Sequence, residues 1–496
     1  MTISFTGVPA SPTRLEQLIG GKWSSSAGGE IVRNSPAHGV AVSIIPQGTA
    51  EDVDLAVAAA RRRFDGGGWS DLPANRRAAI IRRAADIIVS EIDELSLIET
   101  LESGKPLWQS KAEIEGATEL WYYASGQAQT VHGETFNNLG SDQLGLVLRE
   151  PVGVVGLITP WNFPFFILAE RLPFILAAGC TVVVKPSEHT SATTLSMGKI
   201  LERAGLPEGV VNIVTGFGDP VGQAIVAHKD VDMVSFTGST RVGRSAVMAS
   251  AANLKKLSLE LGGKNPVVVM PDADLDKAAD GIVYGVLHNA GQCCVSGSRL
   301  LVAKDIEKAL TDKVLTLMSR VNVGDPLNPG TRVGPIVNRS QLDRIMGLIG
   351  EGKAEGGDLL QGGFTLDNTE GLFVAPTVLA NVKPDMKIAK EEVFGPVLAI
   401  TAFSSLGEAI QIANDTDYGL SATIWSTNLD SSLALMRKIK AGRVWINTTI
   451  TGGPEMPIGG YKESGLGRET GMSGVSEYTE VKSVIVDQGA RTPWVI

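Results

Sequence analysis

Val152-Gly153-Val154-Val155-Gly156-Leu157-Ile158 runs into Thr159-Pro160-Trp161-Asn162, and Thr181-Val182-Val183-Val184 runs into Lys185-Pro186-Ser187-Glu188. Each is a short apolar run closed by a polar turn, the pattern of a strand buried on both faces. Runs of the same kind recur at 210–214, 233–236 and 256–259. Segments with helical spacing lie among them at 167–178, 191–204, 220–227 and 241–251. Strand and helix alternating at this interval predict βαβ units and a doubly wound parallel sheet.

Working outward, residues 51–105 carry apolar side chains at three- and four-residue spacing, and a further helix is expected at 111–129. A second alternating region covers 266–447, with strands expected at 266–270, 299–303, 397–403, 422–425 and 443–446. Its helices are expected at 275–288, 306–320 and 342–349. Two polar, turn-rich segments, 132–150 and the tail after 476, read as strands set apart from a main core. No internal repeat is present. The 496 residues exceed what one core accommodates, so two or three domains are expected.

The net charge of -10 argues against a nucleic-acid partner, and no basic run marks a membrane surface. The most apolar stretch, 163–178, is interrupted by Glu170, Arg171 and Pro173, so it cannot span a bilayer. Residues 1–20 lack the apolar core of a secretory signal. Three cysteines in so long a chain argue against a disulfide framework and for a reducing, cytoplasmic setting. Cys293 and Cys294 are neighbours, and a bond between them would be strained. Five histidines without ligand spacing point to no catalytic metal.

The chemistry concentrates in His288-Asn289-Ala290-Gly291-Gln292-Cys293-Cys294-Val295, with Glu260 upstream and Asn162 further back. A thiol, a carboxylate and a side-chain amide are the parts that oxidise an aldehyde through a thioester. Taken singly, each has an ordinary reading. Free cysteine is usually a small buried hydrophobe, Asn162 can cap a turn, and a strand-end glutamate is usually solvated.

Taken together, the segments resemble the aldehyde dehydrogenase superfamily over essentially the whole chain. The resemblance rests on 160–164, 185–188, 236–240, 259–264, 291–294, 391–396, 414–420 and 459–462, in one order. It implies an aldehyde dehydrogenase fold of three parts. These are an NAD-binding domain from 1–130 and 151–261, an α/β catalytic domain from 262–475, and a β oligomerisation arm from 131–150 and 476–496. It implies Cys294, rather than Cys293, as nucleophile, Asn162 as oxyanion donor and Glu260 as the base that hydrolyses the thioester. Relatives that pass the acyl group to coenzyme A lack that acid, so water is the expected acceptor. The thiolate needs help from a helix N-terminus or from the nicotinamide charge, and the residues do not choose between them.

For NAD, the resemblance assigns Ile158, Thr159, Pro160, Trp161, Lys185, Ser187, Glu188, Gly218, Phe236, Gly238, Ser239, Gly262, Glu392 and Phe394. Glu188 favours NAD over NADP, although family members can use both. The usual GxGxxG fingerprint is missing: after Gly216 and Gly218 the third glycine position holds Val221. Around the aldehyde it places Glu115, Phe163, Phe166, Glu170, His288, Cys293, Val295, Ile450 and Gly452, with Lys462 and 459–460 on the rim. Two acids there, and a 453–460 segment similar to betaine-aldehyde and aminoaldehyde dehydrogenases, suggest a cationic or amino aldehyde. The alternatives are a general aliphatic or aromatic aldehyde or a semialdehyde. A coenzyme A-acylating enzyme and a non-catalytic NAD-binding protein are further classes. A homodimer or homotetramer is implied, the tail strand pairing across an interface.

Overall fold

Two parallel sheets with helices on their faces are built from the two alternating regions, and a small antiparallel arm projects from them. The computed structural model describes residues 7–366, 371–489 and 494–495, so the ends of the expected first domain and of the tail lie outside the described residues.

The first sheet has eight strands. Lys256–Glu260, Met233–Thr237, Val154–Ile158, Thr181–Lys185 and Val211–Ile213 run side by side and parallel. The chain moves from Val154–Ile158 outward in one direction. It then returns to place Met233–Thr237 on the strand's other side. Loops diverge at such a reversal, leaving a crevice beyond the carboxyl ends of the strands. Every residue of Val154–Ile158 and Thr181–Lys185 is buried, as runs dominated by valine, leucine and isoleucine require.

The second sheet has seven strands, six of them parallel, around Pro266–Val269 and Arg299–Ala303. Its outermost parallel strand is Arg443–Ile446, beside Ser421–Trp425. The arm pairs Thr479–Asp487 with Gln143–Pro151, and Gln143–Pro151 with Glu134–Phe136, all antiparallel.

Three features depart from the sequence reading. First, strands at Thr13–Arg14, Glu30–Asn34 and Ala41–Pro46 form a separate small sheet, while Gln17–Ile19 and Lys22–Ser24 extend the first sheet. Second, Gly465–Leu466, inside the span 262–475, pairs antiparallel with Lys256–Glu260 in the first sheet. The following helix, Gly471–Glu477, packs on Leu172–Ala178. Third, the expected helix 167–178 is two helices, Pro164–Ala169 and Leu172–Ala178. Pro173 has no N–H to donate to residue 169, so the chain restarts there. Arg171, at φ -127° and ψ -57°, takes the non-helical joint and turns its side chain inward.

Trp69 is fully buried in the first domain's core, and its Nε1 donates to the Leu176 carbonyl at 3.2 Å. Trp69→Ala should therefore lower the unfolding free energy by about 3–5 kcal/mol in chemical denaturation. A change below about 1 kcal/mol would show that this contact does not organise the core.

Candidate active site

The cysteine pair sits where a helix fails. Leu275–Leu287 ends at His288, and Asn289, Ala290 and Gly291 follow with φ of 51°, 54° and 73°. Three consecutive left-handed residues are costly unless the surroundings hold them. Here the Asn289 Nδ2 donates to the Asn162 carbonyl at 2.8 Å, and the Gln292 Oε1 accepts from the Val337 N–H at 2.9 Å. Gly291 has no room for a side chain: a Cβ would lie 2.0 Å from the Gly395 carbonyl oxygen. Both cysteines line a cavity of about 470 Å³, Cys293 buried and Cys294 partly exposed.

The Cys294 thiol is held well above its ordinary pKa. A side-chain hydrogen bond with Cys293 is the largest cause, followed by burial and by the charges of Cys293, Glu170 and Glu392. Asn162 is buried and its Nδ2 donates to the Gln292 carbonyl at 3.1 Å. An amide nitrogen carries two hydrogens, so that bond leaves one to offer.

Glu260 ends the Lys256–Glu260 strand and lines the same cavity. Its Oε1 is buried with no hydrogen-bond partner. Burial raises its pKa well above the carboxylate range, against the lowering effect of Arg171, with Glu469 and Glu170 adding to the rise. Arg171 lies 3.4 Å from Glu170 and 3.6 Å from Glu469. Glu469 also accepts from Ser258 at 2.6 Å and from Tyr478 at 2.9 Å. The sequence reading did not single out Glu469, because only the return of 465–477 to the first sheet brings it here.

Of the residues expected around the aldehyde, Phe163, Phe166, Glu170, His288, Cys293, Val295, Ile450 and Gly452 line the cavity. Glu115 does not: it is exposed, beside a separate surface hollow shared with Lys111. The reason is helical phase. On Leu107–Gln127 the cavity takes Gln109, Ala112, Glu113, Gly116 and Leu120, a stripe at three- and four-residue spacing. Glu115 is about 200° around from Glu113. The acids this helix presents to the cavity are Glu113 and Glu119. Glu113 is already tied to the buried Lys105 ammonium, which also lies 2.8 Å from Glu99 and 4.4 Å over the Phe163 ring. Burial and the Lys105 charge push His288 down to about 4, so it is a neutral ring stacked on Phe163 at 5.6 Å. Lys462 is not on the cavity wall: its ammonium donates to the carbonyls of Asn414 and Thr416, both at 2.8 Å.

A second set of residues follows the carboxyl ends of the first sheet. Lys185 is buried, its ammonium 2.8 Å from the Pro186 carbonyl and 3.7 Å from Glu188. Ser187 accepts from the His189 N–H at 3.3 Å. The turn Gly218–Gly222 sits over Lys185, a Cβ on Gly222 meeting its stem at 3.6 Å. Thr159 follows Ile158 at the end of its strand, its N–H on the Lys185 carbonyl at 3.1 Å and its hydroxyl buried without a partner. Pro160 then leads to Trp161, whose ring meets Phe394 edge-on at 5.3 Å. Ser239 caps the 11-residue helix Thr240–Ser250, and Gly238 is pressed on the Phe236 ring, where a Cβ would come within 2.6 Å. Gly262 faces the Glu392 carboxylate, 2.3 Å from where a Cβ would be. Glu392 accepts from the Gly263 N–H at 3.0 Å, and burial raises its carboxyl to about 7. An ammonium–carboxylate pair, a helix N-terminus and a second carboxylate beside the turns that follow the strands of one sheet, with the Thr159 hydroxyl left unpartnered, fit the ribose–pyrophosphate–ribose pattern of a dinucleotide.

Residues 23–484 match the aldehyde dehydrogenase family. The chain is 42% identical over 480 residues to the aldehyde dehydrogenase family 2 member C4 of Arabidopsis thaliana, covering 96% of this chain and 95% of that one. It superposes on the crystal structure of an NAD-dependent aldehyde dehydrogenase from Sinorhizobium meliloti with a TM-score of 0.97 at 49% identity, over 100% and 99% of the two chains. A betaine aldehyde dehydrogenase from Staphylococcus aureus, solved in complex with NAD+, gives 0.95 at 35% identity over 97% and 96%.

Without NAD, Cys294 should alkylate slowly at neutral pH. Because its pKa is raised, the thiolate fraction should climb about tenfold per pH unit from 7 to 9 without levelling. Iodoacetamide kinetics with peptide mapping measure this, and a plateau below pH 8 would contradict it.

Proposed function

We propose how this chain, which belongs to the aldehyde dehydrogenase family and is an NAD-dependent aldehyde dehydrogenase, performs its reaction: Cys294 is the nucleophile, Asn162 the oxyanion donor and Glu260 the hydrolytic base. One observation carries the assignment. A partly exposed thiol and a buried carboxylate oxygen without a partner line one cavity, and a half-used amide is bonded to the residue that precedes the cysteine pair.

The Cys294 thiol loses its proton to water as its Sγ adds to the carbonyl carbon, and the free Asn162 hydrogen and the Cys294 N–H steady the oxygen. Such donors typically contribute about 3–4 kcal/mol each. Bound NAD supplies the acceptor for the aldehyde hydrogen, taken as hydride. The acyl group then remains on Cys294 as a thioester. Glu260 takes a proton from water, the hydroxyl adds to the thioester, and the carbon–sulfur bond breaks to give the acid. Overall, RCHO + NAD+ + H2O gives RCOO⁻ + NADH + 2 H+. Because Glu260 is raised, its base form grows as pH rises, so thioester hydrolysis accelerates with pH.

Lys185, Ser187 and Glu188 hold the adenosine ribose, and Glu188 disfavours a 2′-phosphate. Ile158 to Trp161, Gly218, Phe236, Gly238 and Ser239 seat the pyrophosphate side. Gly262, Glu392 and Phe394 seat the nicotinamide side. The first sheet is then the NAD-binding domain and the second the catalytic domain. The arm joins subunits into a dimer or tetramer through Thr479–Asp487. Three free cysteines support a reducing, cytoplasmic setting.

The substrate reading is a cationic or amino aldehyde. It is supported by Glu170 and Glu119 on the cavity wall, by the rings of Trp108, Tyr284 and Trp445, and by the likeness to a betaine aldehyde dehydrogenase. Glu115 is withdrawn from it. A neutral aldehyde is the second reading, favoured by the Arg171–Glu170 contact at 3.4 Å, which already occupies one acid.

Cys294→Ala should form no NADH while still binding NAD, measured by quenching of tryptophan emission. Glu260→Gln should release about one NADH per site and then stall. Rapid steady turnover by the Gln variant would remove Glu260 from its role.

A further inference from the structure

Arg443 begins the outermost parallel strand of the second sheet. Side chains alternate along a strand, so Arg443 and Trp445 share a face, and both line the aldehyde cavity. Trp445 is spoken for: its Nε1 donates to the Thr451 carbonyl at 2.7 Å. The Arg443 Nη2 donates to the Met456 and Pro457 carbonyls at 2.8 and 3.1 Å. Those bonds hold the guanidinium in place without neutralising it. Among the described residues no carboxylate lies within ion-pair distance of it. Its charge is nonetheless felt at Glu170, Glu260 and Cys294. A guanidinium stays protonated in proteins, so a fixed positive charge faces the same space as the wall's buried acid.

Glu170 is therefore opposed from two sides. Arg171 pairs with it from the protein interior, and Arg443 acts on it from the second sheet. Arg171 and Arg443 both line the cavity, and among the described residues Arg171 is paired with carboxylates whereas Arg443 is not.

We infer that Arg443 is the specificity-determining residue that sets the charge preference of the aldehyde cavity, offsetting Glu170 against a cationic group on the substrate. This rests on the proposed reading of the cavity as the aldehyde site. A cationic aldehyde gains from Glu170 and loses to Arg443. An uncharged aldehyde of the same shape meets neither effect.

The test compares kcat/KM for betaine aldehyde with that for 3,3-dimethylbutanal, its uncharged isostere, in the full-length enzyme with NAD. Arg443→Met should raise the ratio of cationic to neutral aldehyde by about fivefold or more, the weight of one charge at close range in a wet cavity. Arg443→Lys keeps the charge and should keep the wild-type ratio. An unchanged or lowered ratio in Arg443→Met overturns the inference. So does a shift in Arg443→Lys as large as that in Arg443→Met, because loop distortion rather than charge would then be responsible. The ratio in the wild-type enzyme separates the two ideas. A value near one there, with the Met variant still shifted upward, contradicts the cationic-substrate reading and sustains the role of Arg443.

Discussion

The exchange of amide hydrogen bonds among Asn162, Asn289 and Gln292 is the constraint on which the rest of the site depends. Asn289 donates to the backbone of Asn162, and Asn162 donates back to the backbone of Gln292. One partner follows a strand of the first sheet and the others follow a helix of the second domain. The pair of bonds therefore fixes the two sheets relative to each other at the point where the thiol stands. It also holds three residues in left-handed conformations, which would otherwise relax into ordinary helix or turn. Both cysteines reach the cavity from this loop, and Cys294 is the more exposed of the two.

Around this loop the protein concentrates charge that a smaller core could not carry. Arg171 and Glu469 are almost wholly buried, and Glu170 and Glu260 nearly so. Removing one member of such a group leaves its partner unpaired, typically at a cost of about 3–5 kcal/mol. The arrangement makes sense as function. Hydrogen bonds from Ser258 and Tyr478 hold Glu469, Arg171 is shared between two acids, and Glu260 is left with a free oxygen. A carboxylate so placed gives up water contact and takes a raised pKa, the condition for a base rather than a spectator.

The βαβ alternation is legible because strands buried on both faces are written as short apolar runs, and the five expected in the first sheet lie within two residues of their observed ends. The thiol, the strand-end acid and the asparagine were legible by their order along the chain. Other features depend on information that is not local. The short N-terminal strands, such as Thr13–Arg14, are defined by distant partners and carry no period of their own. Glu115 was placed in the cavity by spacing alone, but on a helix a two-residue slip reverses the face, and Glu113 and Glu119 take that role. Lys105, Glu469 and Arg443 reach the site only through tertiary packing, since each sits in a segment whose sequence reads as ordinary helix start, turn or edge strand.

The central claim is that one particular sulfur carries the acyl group and that Glu260 removes it. The most direct measurement is mass spectrometry of the Glu260→Gln protein, quenched after mixing with NAD and a substrate aldehyde and then digested. The account predicts that the peptide holding the cysteine pair gains the mass of the acyl group, with fragmentation placing it on Cys294. An acyl group on Cys293, or NADH formed in one equivalent with no acylated peptide, would contradict it.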